Sequence, residues 1–470
     1  MALLLSAPLV AFPVGIGPVA VTVNNGNPVL SWSNSPDQAY VIETATNLAK
    51  AGWRQRVAIT TDAKDVSWAD DAVGIPAMFY RVTLATNAAV FQTMQQALRR
   101  ACTNQGVVGA SAAAYLPKDG LWLGTYGTSD GTIPIRPQTP FEIGSVTKSF
   151  VSATILRLAE EGRLTLDDTI GQWLPGLSFE NISSAITIRQ LLGHRSGVYN
   201  FGDDPDFRQA LFSDWSRQWP PSDDLAHLRA PYFPPGADGE YSNTGYVLLG
   251  LIIQRVTGLT VAEEMRRTVL SRAGLRSTFM GAEENWNGRL ADPHLDFNGD
   301  GLQEDLGALP QTAILTSFWT SGAEISTASD MVRFGLSLFG GGLLNQTSLT
   351  AMCTFQSIDI VGTRYDYGLG LMRFNILGSQ YWAHSGGLFG EYAWYSYCPS
   401  NGVCLAVAYN YPNVVAGPNL PSELLIALAN YPNAAPATPA GMSTARMSPT
   451  NSSLVRIPFL DTELSSRRSR

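Results

Sequence analysis

The sequence has 470 residues, with 31 Lys+Arg against 39 Asp+Glu and a formal net charge of −8. Hydrophobic residues make up 45% and charged residues 15%, a globular composition with length for more than one domain. The acidic balance and a supply of only four lysines (Lys50, Lys64, Lys118, Lys148) argue against a phosphate-backbone binder; beyond the mixed, Pro- and Gly-interrupted N-terminus, no apolar run is long enough for a bilayer span.

The opening MALLLSAPLVAF reads as the apolar core of a secretory signal, although no Lys or Arg precedes it. Residues 1–25 are therefore expected to be a signal-like or disordered lead-in, and the protein to be secreted, periplasmic or held at the cell envelope. Residues 26–85 read as a small β-sandwich, with strands at Pro28–Ser33, Ala39–Thr46, Gln55–Thr60, Asp65–Ala69 and Met78–Leu84. YVIETATNLAKAGW followed by MFYRV resembles the immunoglobulin- or fibronectin-III-like modules appended to many secreted bacterial proteins. That resemblance implies an accessory module, open to contact with a cell surface or polysaccharide.

From residue 86 the pattern changes. Helices are predicted at Phe91–Cys102, Lys148–Glu161, Gly245–Thr257, Val261–Leu270 and Ser329–Leu338. Strands are predicted at Val107–Tyr115, Leu121–Tyr126, Leu369–Phe374, Trp394–Tyr397 and Val403–Asn410. Strands at both ends with helices between them predict an α+β fold over residues 86–430, in which one antiparallel sheet is flanked by helices and accompanied by a separate helical region. Residues 431–470, rich in Ala, Pro, Ser and Thr, read as a disordered tail. Cys398 and Cys404 flank an Asn401-Gly402 turn that is able to bring two sulfurs within bridging range; Cys102 and Cys353 lie far apart, and no spacing suits zinc.

The chemistry centres on Phe141-Glu142-Ile143-Gly144-Ser145-Val146-Thr147-Lys148. Val151, Ile155 and Leu158 continue at helical spacing, and Gly162 stops the run. Ser145 thus falls at the start of a buried helix with Lys148 one turn on, where free N–H groups and the helix dipole meet the hydroxyl. First-turn placement and burial both favour the neutral amine that a base needs. Tyr241-Ser242-Asn243 precedes the apolar helix from Gly245, and His384-Ser385-Gly386-Gly387 lies between two strand-like runs.

S-x-x-K, Y-S-N and H-S-G in this order resemble the serine β-lactamase and penicillin-binding-protein superfamily. The likeness is to its class C β-lactamase, Streptomyces-type D-alanyl-D-alanine carboxypeptidase and family VIII carboxylesterase branches. It runs through IGSVTKSF, ITIRQLLGHRSGV, FPPGADGEYSNTGYVLLG and YGLGLM, over roughly residues 90–415. The resemblance implies Ser145 as nucleophile, Lys148 and Tyr241 sharing its proton with the base left open, and Asn243 holding Lys148 and the acyl group. It implies the N–H groups of Ser145 and Gly387 as oxyanion hole, and His384 tuning the charge near Tyr241. His194, in LLGHRSG, matches a residue that is structural in the family. No cofactor is implied.

Departures from the pattern bear on substrate. Met372 stands where the carboxypeptidases carry a carboxylate-binding Arg, with Arg373 pointing to the other face of its strand, and Gly387 stands where they often carry a hydroxyl. A small acyl ester is therefore the expected substrate, with Trp319, Ser385 and Met372 beside it and Trp122, Phe318, Phe389 and Tyr392 as further candidates for an apolar pocket. A D,D-peptidase or β-lactamase-type amide hydrolase is the alternative, and a non-catalytic penicillin sensor or surface-binding protein the reading from another class. No G-x-S-x-G elbow, phosphate loop or H-E-x-x-H helix is present. Asp296, Asn298 and Asp300 match the opening of a calcium loop, but Gly307 stands where Glu is required, so a solvated acidic loop is expected.

Overall fold

Short strands with alternating burial, joined by turns, open the chain, and longer apolar runs follow. The computed structural model describes residues 10–11, 16, 18–24, 27–35, 38–46, 52–70, 78–85, 88–177, 181–286, 289–295, 304–410 and 420–429. The candidate calcium loop and the C-terminal tail lie outside these residues, as does most of the lead-in.

A large sheet forms the backbone of the fold. Its strands run, in spatial order, Val10–Ala11, Phe79–Leu84, Tyr40–Ala45, Arg54–Thr61, Gly120–Gly127, Gly109–Leu116, Cys404–Asn410, Glu391–Tyr397, Ser379–Leu388, Met372–Ile376, Thr363–Tyr367 and Gln356–Ile360. The pairings from Gly120–Gly127 onward are antiparallel. One face is covered by the helices Ala88–Gln105 and Leu420–Ala427, around Phe91, Leu98, Trp122 and Trp394. The other carries the helix Ala328–Phe339 and, beyond it, the helical region built around the helix Thr147–Glu160, buried from Thr147 to Leu156. The architecture is the α+β arrangement expected from the sequence.

The N-terminal strands do not hang apart from this sheet. Ala20–Asn24, Asn27–Ser33 and Asp65–Ala69 make a small second sheet, but Arg54–Thr61 joins the large one, pairing in parallel with Gly120–Gly127 from Ala58↔Trp122 to Thr61↔Thr125. A buried polar network locks the seam. Trp122 Nε1 donates to Thr60 Oγ1 at 2.9 Å, Thr60 Oγ1 donates to Gln95 Oε1 at 2.8 Å, and Gln95 Nε2 donates to the Thr125 carbonyl at 2.9 Å. Such groups cost free energy when buried unless each finds a partner, so the network fixes register as well as contact.

All four cysteines are free. Cys398 and Cys404 fall on opposite faces of the sheet, one in each core cluster, so the turn between them does not bring their sulfurs together. Among the described residues no single helix is long and apolar enough to cross a membrane.

Candidate active site

Ser145 sits in a short 3-10 turn, Gly144–Val146, that runs directly into the helix Thr147–Glu160. Its hydroxyl is the meeting point of two side chains from distant parts of the chain. Lys148 Nζ lies 2.9 Å from Ser145 Oγ, and Tyr241 OH donates to Ser145 Oγ at 2.8 Å. Lys148 is fully buried and its Nζ has two further acceptors, Asn243 Oδ1 at 2.8 Å and the Ser321 carbonyl at 2.6 Å. Because an amine or ammonium has only hydrogens to offer an oxygen, the Asn243 amide must present its oxygen here. Asn243 is held in turn by its own N–H, which donates to Asn200 Oδ1 at 3.0 Å.

Two of these partners were not legible in the motifs. Ser321 acts through its backbone, at the end of the helix Thr312–Gly322, which breaks at Trp319 with φ 29° and ψ −118°. Asn200 follows Tyr199 in a loop that carries no catalytic signature. Neither a carbonyl nor a lone Asn leaves a sequence signal.

The strand Ser379–Leu388 supplies the other wall. Its pairing with Met372–Ile376 stops at Ala383, whereas its pairing with Glu391–Tyr397 continues to Leu388↔Glu391. Leu388 and Glu391 close a two-residue hairpin and so form a hydrogen-bonded pair; alternation then turns the Gly387 N–H to the unpaired edge, toward Ser145. Backbones meet closely there. A Cβ on Gly144 (φ 50°) would lie 2.7 Å from the Gly387 nitrogen, and one on Gly386 would lie 2.0 Å from the Ile143 carbonyl oxygen. Only glycine fits either position.

His384 and His194 are both held neutral by burial. Burial first, and then the Lys148 charge, pulls the His384 pKa down to about 3. His384 Nδ1 lies 2.6 Å from the Ser385 carbonyl oxygen, which cannot donate, so Nδ1 carries the proton and Nε2 accepts from Tyr367 OH at 2.9 Å. His384 therefore bonds Tyr367, whose ring lies 6.3 Å from the Tyr241 ring. His194 is closer: its ring centre lies 4.1 Å from that of Tyr241, and its Nδ1 accepts from the Ser242 N–H at 3.2 Å.

Three of the expected substrate contacts are buried in the packing. Met372 is fully buried among core residues, so no side-chain surface is left to meet a substrate. Arg373 is engaged with Asp366 at 2.6 Å and lies over the Phe355 ring. Trp319 is 5% exposed and its indole N–H donates to Glu283 at 2.8 Å, which leaves the backbone kink, not the ring, as its link to Lys148. The Ser385 side chain is fully buried in the strand. Trp122 belongs to the N-terminal seam and Tyr392 stacks on Tyr409, so neither lines a pocket here. Phe318 and Phe389 do meet, with ring centres 5.9 Å apart.

Beneath Ser145 lies a buried acid pair. Glu391 accepts from the Glu142 N–H at 2.7 Å, tying the segment that leads into Ser145 to the hairpin that follows Gly387. Burial pushes the Glu142 carboxyl up from 4.5 to about 8, and burial followed by the charge of Glu142 pushes Glu391 up as well. A carboxyl that holds its proton more tightly when folded contributes stability below its unfolded pKa and loses it as the pH rises through the folded one. The melting temperature is therefore expected to fall between about pH 4.5 and about pH 8 on this account. Glu142→Gln, which cannot ionise, should flatten that fall in thermal melts at stepped pH; an unchanged slope would place the proton elsewhere.

The profile of the beta-lactamase family matches residues 87–427. Penicillin-binding protein 4* of Bacillus subtilis (strain 168) is 28% identical over 255 residues, which is 50% of this chain and 53% of that protein. The chain thus spans about half the length, or less, of the curated relatives it matches. Among solved structures, a D-stereospecific amidohydrolase from Streptomyces sp. is 28% identical with a TM-score of 0.62, and the D-amino acid amidase of Ochrobactrum anthropi SV3 in complex with D-phenylalanine is 26% identical with a TM-score of 0.65. Each alignment covers 73% of this chain and 99% of the solved one.

Proposed function

Because the chain belongs to the beta-lactamase family, a family of serine hydrolases, we propose that it is a carboxylesterase that cleaves small neutral acyl esters through an acyl-enzyme on Ser145. The observation that carries this reading is the convergence of Lys148 Nζ and Tyr241 OH on one hydroxyl, at 2.9 and 2.8 Å. In the neutral amine, the two N–H bonds go to Asn243 Oδ1 and the Ser321 carbonyl. The lone pair then faces Ser145 Oγ and takes its proton as the oxygen attacks the substrate carbonyl. The negative charge that develops on the carbonyl oxygen falls between the Ser145 and Gly387 N–H groups, a contribution typically worth ~3 kcal/mol per donor. Tyr241 protonates the departing alkoxide and draws a proton from Lys148. Water then enters by the same relay in reverse and releases the acid.

The preference for a neutral substrate rests on what faces the site. Met372 is core, Arg373 is spent on Asp366, and His384 carries no charge. None of these three described residues offers a free carboxylate a cation to bind it through paired hydrogen bonds. A second reading, hydrolysis of D-amino acid amides, is supported by the likeness to the Ochrobactrum amidase. One panel separates them: a p-nitrophenyl ester, a D-amino acid amide, nitrocefin and a peptide ending in D-Ala-D-Ala. The ester is expected to give the highest kcat/KM. A higher value for the amide moves the assignment to the second reading, and a preference for the free-acid peptide overturns the argument from charge.

A further inference from the structure

Phe389 and Gly390 form the two-residue loop of the hairpin that carries Gly387, and both have positive φ, 41° and 96°. That is the backbone of a I′ turn, which Asn-Gly fills without strain and a bulky residue does not. A Phe in the first position is held there against its backbone preference, as Val361 and Leu377 are in two neighbouring hairpins; those two side chains are exposed, whereas the Phe389 ring is packed. The ring shows what is gained. It meets Phe212 edge-on at 5.2 Å and Phe318 at 5.9 Å, and Phe318 meets Phe201 at 5.8 Å. Each of three rings is a near neighbour in sequence of a residue tied into the site: Gly387 beside Gly144, Ser321 whose carbonyl accepts from Lys148, and Asn200 whose side-chain oxygen accepts from the Asn243 N–H. Phe389 lies two residues beyond Gly387, Phe318 three before Ser321, and Phe201 next to Asn200. Phe212 and Phe318 are half-buried, and Phe389 is 7% exposed, as is Ser145. Tyr241, which protonates the leaving group, is anchored on another border of the site, its N–H donating to the Asp359 carbonyl at 3.0 Å.

We propose that Phe389 is a specificity-determining residue, kept in a strained turn because its ring forms the wall that receives an aromatic or bulky apolar acyl group. This rests on the acyl-hydrolase reading above and names its substrate class. Two variants separate the ring from the backbone. Phe389→Asn suits the turn and removes the ring; Phe389→Leu keeps an apolar side chain but not the aromatic face, and leaves the strain in place. The measurement is the ratio of kcat/KM for p-nitrophenyl phenylacetate to that for p-nitrophenyl acetate, together with the melting temperature. The ratio is expected to fall about tenfold in both variants. Phe389→Asn is expected to melt at the same temperature as Phe389→Leu or above it, although Leu is the better residue for burial. An unchanged ratio in an active variant overturns the assignment. A Leu variant that melts several degrees higher than the Asn variant shows that the turn is not strained. A wild type that turns over neither ester overturns the esterase reading and this assignment with it.

Discussion

Ser145→Ala is expected to lower kcat/KM on any accepted ester by at least ~10⁴-fold, with circular dichroism and melting temperature close to wild type. The hydroxyl is the acceptor of the Tyr241 hydrogen bond and the contact of Lys148, so its loss removes the atom on which the whole arrangement converges. Lys148 keeps its bonds to Asn243 and the Ser321 carbonyl, so no buried charge is stranded by the change. Ser145 makes no side-chain cap of its helix; the cap residue is Val146, without a side-chain bond, and the cost in stability should be about 1 kcal/mol or less. A variant that keeps more than a tenth of wild-type activity would mean that another nucleophile does the work.

Removing residues 1–85 is expected to abolish soluble, cooperatively folding protein, or to lower its melting temperature by more than ~10 °C. A detachable module would make this deletion harmless, as the short strands by themselves suggest. The sheet argues otherwise. Loss of Arg54–Thr61 bares the edge of Gly120–Gly127, a row of unpaired backbone groups prone to aggregation. It also uncovers Trp122, now fully buried, and strips its indole N–H of Thr60. Lost apolar burial and stranded polar groups together cost on the order of 5 kcal/mol, comparable with the whole net stability of many domains. Thermal melts of the truncated and full-length chains decide the point, and a truncated chain that melts within a few degrees of the full one would contradict it.

How far the sequence carried can be read element by element. The spacing of Val151, Ile155 and Leu158 placed the Lys148 helix, observed over Thr147–Glu160, because a helix buried against a core shows its period. Residues 379–388, SQYWAHSGGL, show no alternation; the strand is largely buried, and its glycines are there for close approach. Strand polarity set Met372 and Arg373 on opposite faces, but only the register with Ala383 and Trp382 shows what those faces meet. The seam at Arg54–Thr61 depends on a partner strand far along the chain. One local sign was present: the uncharged run Val57-Ala58-Ile59-Thr60-Thr61, all five of which are buried in the structure, where an open-faced strand would alternate. The contact of the Ser321 carbonyl with Lys148 follows a backbone break at Trp319 that composition and periodicity do not encode.

The central claim, that acyl transfer runs through Ser145, is tested most directly by covalent labelling. Full-length protein is incubated with a serine-directed fluorophosphonate, digested and mapped by mass spectrometry, with Ser145→Ala and Lys148→Met alongside. The account predicts one adduct, on the peptide that contains Ser145. It should be absent from Ser145→Ala and form far more slowly in Lys148→Met, where the base is gone. No adduct in wild type, or an adduct on a different serine that persists in Ser145→Ala, would contradict it.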